Sequence, residues 1–296
     1  MKILITGVNG MLGHDVYTYI EEQGYEVLGL GKEDVASWGI HNYRHCNLLD
    51  FFAVNQLIYE FQPNVVIHCA AFTDVNAAEK SFSQPTNNNV LATKWLAQAC
   101  DAMNVHMIFI STDYVFEDAD MSILRYPGDN KGTALNRYGD TKSKAEDEVM
   151  ACMRKWTIVR TSGLFGLHGK NFIKTIARQA QKGRDLWVVN DNKCRPTYTK
   201  DLAQALLTLA VENKEGIYHI TNEGEYVSWY DIAKEVIENG GWDIQLSTRS
   251  SDDDLVKRIK NSQLVCNIDV PLPEWKDAVR RYMKEMEYFT DNEDRE

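Results

Sequence analysis

The chain has 296 residues, of which 44% are hydrophobic and 25% are charged, and its formal net charge is −11 at pH 7. This length predicts one large domain with a smaller companion, and the composition is ordinary for a soluble globular protein. The acidic balance argues against an extended basic face, so we expect no nucleic-acid partner.

Strand and helix patterns alternate steadily over the first 162 residues. The strand patterns are continuous apolar runs, as expected where helices cover both faces of a sheet. This alternation predicts an α/β fold with a Rossmann-type, doubly wound parallel sheet. The predicted strands are 2–6, 26–30, 64–71, 105–112 and 156–162, and the predicted helices are 11–24, 51–63, 88–104 and 138–154.

The alternation becomes irregular after about residue 163, where we expect a smaller C-terminal α/β substrate domain. We assign 1–162 and about 196–222 to a dinucleotide-binding Rossmann domain, and about 163–195 and 223–296 to the substrate-binding domain. The predicted helices in this half are 169–183, 228–241 and 272–285, the predicted strands are 186–191 and 216–221, and 241–270 is patternless in places.

The six cysteines form no C-x-x-C pair, and several lie in apolar runs such as VVIHCAAF. We therefore expect reduced, structural thiols in a cytoplasmic protein. No stretch approaches the roughly 18 apolar residues of a membrane span, so we expect no membrane partner. No cluster of carboxylates stands out in the sequence, so we expect no metal site.

A glycine loop directly follows the first predicted strand and directly precedes the first predicted helix. Residues 6–13 read TGVNGMLG, which places glycines at Gly7, Gly10 and Gly13. In this context the first permits a tight turn, the second lets the backbone approach a pyrophosphate, and the third lets helix and strand pack closely. Free N–H groups and the positive end of the helix dipole favour the pyrophosphate there. The loop therefore predicts a dinucleotide cofactor.

The second predicted strand ends in LGLGKEDV, which bears on the choice between NADH and NADPH. NAD enzymes usually carry an acidic residue near this point, which binds the ribose 2′-hydroxyl. Here Lys32 stands at the tip, with Glu33 and Asp34 just beyond it. Lys32 either meets a 2′-phosphate or is a surface lysine. We expect NADPH, with NADH tolerated.

The stretch RYGDTKSKAE, residues 137–146, places Tyr138 and Lys142 one helical turn apart on the same face. Reducing a ketone needs a hydride on carbon and a proton on oxygen, and a free tyrosine, with a pKa of about 10, is a poor acid at neutral pH. A nearby cation favours the phenolate, so we expect Lys142 to lower the pKa of Tyr138. Thr112, at the carboxyl end of a predicted strand, can donate a hydrogen bond to the ketone oxygen. On spacing alone, a solvated helix in which Lys142 faces water remains open.

The glycine loop, STDYVF at 111–116 and YGDTK at 138–142 together resemble the extended short-chain dehydrogenase/reductases. More narrowly, the chain resembles the dTDP-4-dehydrorhamnose reductase family, in order and over nearly its whole length. Related dehydratases have an acidic residue where this chain has Tyr114, and related epimerases usually differ at Thr112 and Asp113. The resemblance implies NAD(P)H-dependent reduction of the 4-keto group of dTDP-4-dehydro-L-rhamnose to dTDP-L-rhamnose, for surface polysaccharide synthesis. The expected partners are the nucleotide-sugar and, if the protein is a homodimer and not a monomer, a second copy of the chain.

The resemblance also implies the site residues. Thr112, Tyr138 and Lys142 are the expected catalytic residues, and Lys142 is also expected to hold the nicotinamide ribose. The expected cofactor contacts are Gly7, Asn9, Gly10, Met11, Leu12, Gly13, Lys32, Asn47, Leu48, Ala70, Ala71, Thr73, Asn89, Tyr138 and Lys142. The expected substrate contacts are Thr73, Val75, Thr112, Asp113, Tyr114 and Tyr138.

Some of these positions have a plain structural alternative. The pair Ala70 and Ala71 also fits simple packing, and Asn89 also fits a helix-surface amide in the run NNN. Arg195, directly before Pro196, is a further candidate substrate contact, because a guanidinium there suits a nucleotide phosphate. The family pattern does not demand arginine at this position.

One departure from the family pattern bears on the sugar. After RTS at 160–162 the family usually has a tryptophan that lies against the sugar ring, whereas this chain has Gly163. A large stacking surface is therefore missing, and the sugar pocket is wider, differently shaped or filled from another loop. Two alternatives stay open: a reductase or epimerase of a different nucleotide-sugar, and a non-catalytic NADP-binding regulatory subunit.

Overall fold

The computed structural model describes residues 1–37 and 39–293, with side chains described up to Met286 apart from residue 38. The strands are β1 (Lys2–Thr6), β2 (Glu26–Gly31), β3 (Tyr43–His45), β4 (Val65–His68), β5 (His106–Thr112), β6 (Trp156–Thr161), β7 (Leu164–Phe165), β8 (Leu186–Val189), β9 (Thr197–Tyr198), β10 (Gly216–His219) and β11 (Leu246–Arg249). The helices are α1 (Met11–Glu22), α2 (Phe51–Phe61), α3 (Val75–Lys80), α4 (Ser83–Pro85), α5 (Ala92–Ala102), α6 (Arg137–Cys152), α7 (Phe172–Gln181), α8 (Thr199–Val211), α9 (Trp229–Gly240) and α10 (Trp275–Glu293). None of these described helices is both long enough and apolar enough to cross a membrane.

Among the described residues, seven parallel strands form one sheet in the order β10-β6-β5-β4-β1-β2-β3. The chain builds this sheet outward in both directions from the β1–β4 pair, and the order reverses there. Ligands bind open α/β sheets at the carboxyl ends of the strands beside such a reversal. The predicted α/β fold with a doubly wound parallel sheet is confirmed.

The two faces of the sheet carry separate apolar cores, because successive strand side chains point to opposite sides. On one face, Ile3 and Ile5 of β1 pack with the buried sides of α1 and α8. On the other face, Leu4 packs with α2, α5 and α6. The catalytic candidates on β5 and α6 are therefore held by continuous buried packing on both sides of the sheet.

A third apolar cluster lies outside the main sheet and joins α7, α9 and α10 to the short parallel pair β8–β11. Apart from Tyr198, its buried residues come from the ranges that were expected to form the substrate domain. Helix α8 and strand β10, both within 196–222, belong instead to the main sheet and its core. The domain boundaries themselves stay a prediction.

Several predicted element boundaries are wrong in informative ways. The strand expected at 64–71 ends at His68, because the chain then turns to bring Ala70 against the glycine loop, where its N–H donates to Thr6 Oγ1 at 3.2 Å. The helix expected at 88–104 begins as a wide π-helical turn, Thr86–Leu91, and becomes regular only at α5. Strands β3 and β11 and helix α8 were not predicted at all.

Gly7 and Gly13 allow the backbone of the glycine loop to pack closely against neighbouring backbone. Gly7 has a φ of +73°, and a Cβ there would lie 2.8 Å from the Ala70 backbone. A Cβ on Gly13 would overlap the Gly7 carbonyl oxygen, which already accepts a hydrogen bond from Gly10 N at 2.9 Å. The close approach of α1 to β1 therefore needs a residue without a side chain at position 13.

We predict that Gly13→Ala lowers the free energy of unfolding by about 1–3 kcal/mol, because the added methyl must displace backbone. Denaturant unfolding of the purified variant measures this change. Gly128→Ala is the matched control, because a Cβ there meets nothing within 4 Å. Equal stability of Gly13→Ala and the wild type would contradict the close packing of α1 on the loop.

Candidate active site

One large cleft, with a volume of about 760 Å³, opens at the carboxyl ends of the sheet strands beside the glycine loop. Main-sheet strands supply one wall, and residues near the third apolar cluster supply the other. The predicted site residues that line it are Gly7, Asn9, Gly10, Met11, Leu12, Gly13, Lys32, Asn47, Leu48, Ala70, Ala71, Thr73, Val75, Thr112, Asp113, Tyr114, Tyr138 and Lys142. Two predicted residues, Asn89 and Arg195, are not in the lining.

The end of the cleft beside β2 and β3 contains Lys32, the residue expected to discriminate between NADPH and NADH. Asn9 Nδ2 donates to Glu33 Oε2 at 3.0 Å, which ties the glycine loop to the loop after β2. The side chain of Lys32 is exposed at the lip of the cleft. Asn47 and Leu48 line the same end, just after β3. An exposed ammonium at this lip suits a phosphate group on a ribose better than a bare hydroxyl.

Thr112 ends β5 with its side chain buried in the cleft wall. Its hydroxyl donates to Asp113 Oδ1 at 2.8 Å and accepts from Tyr114 N at 3.2 Å. Asp113 also accepts a hydrogen bond from Ser262, and burial raises the pKa of this carboxyl to about 6. Thr112 can therefore donate to a ketone only by exchanging its bond with Asp113.

Tyr138 lies in the first turn of α6, which Asn136 caps by accepting from Gly139 N at 2.9 Å. Its ring meets Tyr114 edge to face, with the centroids 5.9 Å apart. Burial raises the pKa of Tyr138 above its usual value, the charge of Asp113 raises it further, and a hydrogen bond with Thr112 acts in the opposite direction. The phenol is therefore held protonated, as a proton donor must be at the start of a reduction.

The expectation that Lys142 lowers the pKa of Tyr138 is not met in this structure. Lys142 is 2% exposed, and its Nζ donates to the Ile110 carbonyl at 2.6 Å and sits 3.9 Å from the centroid of the Phe109 ring. Burial lowers the pKa of Lys142 to about 7, against the opposing charge of Glu146. At neutral pH Lys142 is therefore only partly protonated, and its Nζ hydrogen-bonds to Ile110 of β5.

Asn89 supports the cleft from behind. Its Oδ1 accepts from Phe72 N at 2.6 Å, and its Nδ2 donates to Phe72 O at 3.1 Å and to Thr141 Oγ1 at 2.9 Å. The residue is 1% exposed, so the helix-surface alternative is wrong. Asn89 holds the loop that carries Thr73 against α6.

Arg195 is likewise buried and committed to protein partners. Its Nη1 donates to Glu223 Oε2 at 3.2 Å, and its Nη2 donates to Tyr226 Oη at 2.7 Å and to Leu264 O at 2.8 Å. A nucleotide phosphate could reach this guanidinium only if these bonds opened. The structure therefore places Arg195 behind the wall of the cleft.

Sequence reasoning missed a buried ion pair directly beneath the catalytic candidates. Glu146, one turn beyond Lys142, accepts from Arg160 Nε at 3.0 Å and from Arg160 Nη2 at 2.8 Å. Ser111, next to Thr112, donates to the same carboxylate. Glu146 falls within the quoted helix, but its partner lies on β6, and no local signal in the sequence links the two.

Sequence reasoning also missed two aromatic residues that line the cleft. Phe172 begins α7 and Trp229 begins α9, and their ring centroids are 4.6 Å apart. Trp229 lies near Gly163, where a Cβ would stand 3.6 Å from Trp229 Cη2. The motif SWYDIA at 228–233 was available as a signal, but it did not reveal which way the indole faces.

One group of side chains outside the cleft brings together donors that metals use. Ligand atoms of His14, Asp15 and His168 all lie within 4.8 Å of one another, and the two imidazole rings stack with centroids 3.4 Å apart. His14 Nδ1 stands 4.0 Å from Asp15 Oδ1. Zinc ligands at bond lengths of about 2.0–2.1 Å stand about 3.4 Å apart, so these side chains would have to shift to share an ion.

Comparison with known proteins gives a family match over most of the chain. A family model described as the RmlD substrate binding domain matches residues 1–288. The spore coat polysaccharide biosynthesis protein SpsK of Bacillus subtilis (strain 168) is 29% identical over 290 residues, which cover 96% of this chain and 97% of that protein. The dTDP-4-dehydrorhamnose reductase of Aggregatibacter actinomycetemcomitans is 34% identical over 254 residues, covering 80% of this chain and 82% of that protein.

The fold is also shared with solved structures. The crystal structure of dTDP-4-dehydrorhamnose reductase from Bacillus anthracis str. Ames in complex with NADP superposes with a TM-score of 0.87. The two chains are 28% identical, and the match covers 96% of this chain and 99% of that one.

We predict that Lys142 makes the folded protein more stable as the pH rises above neutrality. The pKa of Lys142 is about 7 in the folded protein and 10.5 in the unfolded chain. Between these two values the unfolded chain keeps a proton that the folded chain releases. Between about pH 8 and about pH 9.5, the free energy of unfolding should rise by about 1.4 kcal/mol per pH unit more in the wild type than in Lys142→Met. Denaturant unfolding across this range measures the difference.

Lys144→Met is the control, because Lys144 is exposed on the same helix. It should keep the wild-type slope. Parallel pH profiles for the wild type and Lys142→Met would contradict a buried, depressed lysine.

Proposed function

Because the chain belongs to the RmlD substrate binding domain family, we propose that it is an NADPH-dependent reductase that converts dTDP-4-dehydro-L-rhamnose to dTDP-L-rhamnose. The observation that carries the proposal is the meeting of Thr112, Tyr138 and Lys142 in one cleft with the glycine loop. The names of the relatives support the reaction, and the crystallised relative from Bacillus anthracis supports the cofactor.

The glycine loop fits a dinucleotide on its own geometry. A Cβ on Gly10 would stand 3.1 Å from the Gly7 carbonyl oxygen, so a side chain would crowd the loop at the start of α1. Bare N–H groups and the helix dipole favour a pyrophosphate at this point. Lys32, exposed at the lip, would meet the 2′-phosphate and favour NADPH, with NADH as the weaker alternative. Bound NADPH would supply the hydride for the reduction.

Tyr138 would donate its phenolic proton to the ketone oxygen. Its raised pKa keeps the proton in place before reaction, and the edge of the Tyr114 ring limits the phenol's orientation. Thr112 would release Asp113 and donate its hydroxyl hydrogen bond to the same oxygen as negative charge develops there. Lys142 would hold the nicotinamide ribose by giving up its bond to the Ile110 carbonyl.

The cellular setting follows from the same proposal. The relative from Bacillus subtilis is named for spore coat polysaccharide biosynthesis, which supports a role in making a surface polysaccharide. All six cysteines are free thiols, so we propose a reducing, cytoplasmic location. We propose a monomer or homodimer that takes a nucleotide-sugar and binds neither nucleic acid nor membrane.

We also propose a division of labour between the two halves of the chain. Residues 1–162 with about 196–222 would bind the dinucleotide, and the remainder would bind the nucleotide-sugar. The separate apolar cluster of α7, α9 and α10 supports this division.

A different nucleotide-sugar is the second candidate, and Gly163 is the observation that favours it. This glycine lines the cleft where the family usually has tryptophan. The sugar site of this chain therefore has a different shape from that of the family, so its sugar can differ. The class of reaction does not depend on this difference.

We predict that Tyr138→Phe lowers the turnover number about a hundredfold to ten-thousandfold, because the phenol is the proton donor. The assay follows NADPH oxidation optically, with dTDP-4-dehydro-L-rhamnose as substrate. NADPH affinity should stay near the wild-type value. Tyr59→Phe, an exposed tyrosine on α2, is the matched control and should keep full activity.

Near wild-type turnover by Tyr138→Phe would remove Tyr138 from the chemistry. Binding of NADPH by the wild type with no oxidation on any 4-keto nucleotide-sugar would instead favour a non-catalytic, cofactor-binding subunit.

A further inference from the structure

We propose that Trp229, supported by Phe172, is the surface on which the hexose ring of the nucleotide-sugar rests, and that it determines sugar specificity. The proposal rests on the proposed function, since it assigns the sugar subsite of the same cleft. The surface formed by these two rings is called here the aromatic shelf. Its position, its rigidity and its chemistry each point to the sugar.

The aromatic shelf lies beside the strand end that carries Thr112. In the sheet register, Thr112 of β5 pairs with Thr161 of β6, and Gly163 follows two residues later. A Cβ on Gly163 would stand 3.6 Å from Trp229 Cη2. Trp229 is therefore next to the reacting end of the cleft. It is far from Lys32, which follows β2, because β4 and β1 lie between β5 and β2 in the sheet.

Gly163 leaves the indole uncovered on this side. Its φ is +55°, and a Cβ there would be 3.1 Å from the Pro196 Cα, so the position strongly favours glycine. Because no side chain projects from Gly163, the indole of Trp229 borders the space next to β6. The stacking surface that the sequence lacks after 160–162 is thus supplied by the start of α9.

The shelf is held rigidly. Ser228 caps α9, its hydroxyl accepting from Asp231 N at 3.1 Å while Asp231 Oδ2 accepts from Ser228 N at 2.9 Å. The backbone N–H of Trp229 donates to Asn192 Oδ1 at 3.2 Å. The Phe172 ring, tilted by 60°, packs against the indole with the centroids 4.6 Å apart. The indole is therefore fixed before any ligand binds.

The chemistry of the shelf suits a deoxyhexose. One face of a pyranose ring presents C–H groups, and a methyl group at C6 enlarges this apolar surface. A half-buried indole gives such a surface a flat apolar partner while the sugar hydroxyls stay in the polar part of the cleft. Two polar side chains line the same cleft: Asn192, whose Oδ1 accepts from the Trp229 backbone N–H, and Ser262, which donates to Asp113.

The test compares the binding of dTDP-L-rhamnose and dTDP by calorimetry in the presence of NADP⁺, since the two ligands share the thymidine and both phosphates and differ in the sugar, which takes the place of one charged phosphate oxygen of dTDP. We expect the wild type to bind dTDP-L-rhamnose more tightly than dTDP. Trp229→Leu should weaken dTDP-L-rhamnose binding about 10-fold to 100-fold and leave dTDP and NADP⁺ affinities within about twofold. Trp229→Phe, which keeps an aromatic ring, should retain most of the preference.

Trp187→Leu is the matched control, because Trp187 is 63% exposed on β8 and does not line the cleft. It should behave as the wild type. Equal loss of dTDP and dTDP-L-rhamnose would place the indole against the base, and loss of NADP⁺ affinity would place it against the cofactor. Either result, or unchanged affinities, or a wild type that does not prefer the sugar-bearing ligand, would overturn the proposal.

Thermal unfolding of Trp229→Leu checks that the variant folds, and Trp229→Met, which also lacks a ring, replaces it with the same expected loss if it does not. Turnover of dTDP-4-dehydro-L-rhamnose by the wild type is read separately. Absence of turnover rejects the proposed reaction, whereas the binding difference between the two ligands decides the role of the shelf.

Discussion

The buried ion pair between Glu146 and Arg160 is the interaction on which the arrangement of the cleft depends. The two side chains are 0% and 2% exposed, and they join α6 to β6 through two hydrogen bonds. Desolvating two charges is costly, and removing one partner of such a pair typically costs about 3–5 kcal/mol. Ser111 ties the same carboxylate to β5. The helix that carries Tyr138 is therefore fixed against the strand that carries Thr112.

This pair also controls charge in the cleft. Glu146 lies one turn from Lys142, and its negative charge partly offsets the burial that lowers the lysine pKa to about 7. On the other side, Asp113 is buried beside Thr112 and raises the pKa of Tyr138. The phenol is thus kept protonated by burial and by one carboxylate, while another carboxylate sustains part of the charge on the neighbouring lysine. Burial strengthens both of these charge interactions, because the low dielectric constant of the interior screens charges less than water does.

Local patterns identified the three segments that meet in the cleft. The glycine loop, the end of β5 and the first turn of α6 each lie within a few consecutive residues, and the regular apolar strands placed them at one edge of a parallel sheet. The sequence could not show partners far along the chain. Asn89 bonds to Phe72 and Arg195 bonds to Leu264, and these contacts direct both side chains away from the cleft lining. Trp229 was missed for the same reason, since its position opposite Gly163 exists only in the folded chain.

The most direct measurement of the central claim follows the transferred hydrogen itself. NADPH labelled with deuterium at the reacting face of nicotinamide C4 is incubated with the protein and dTDP-4-dehydro-L-rhamnose, and the sugar is examined by mass spectrometry and NMR. The account predicts dTDP-L-rhamnose with one deuterium, located on C4 of the sugar. Full recovery of labelled cofactor with unchanged sugar, or deuterium at any other carbon, would contradict it.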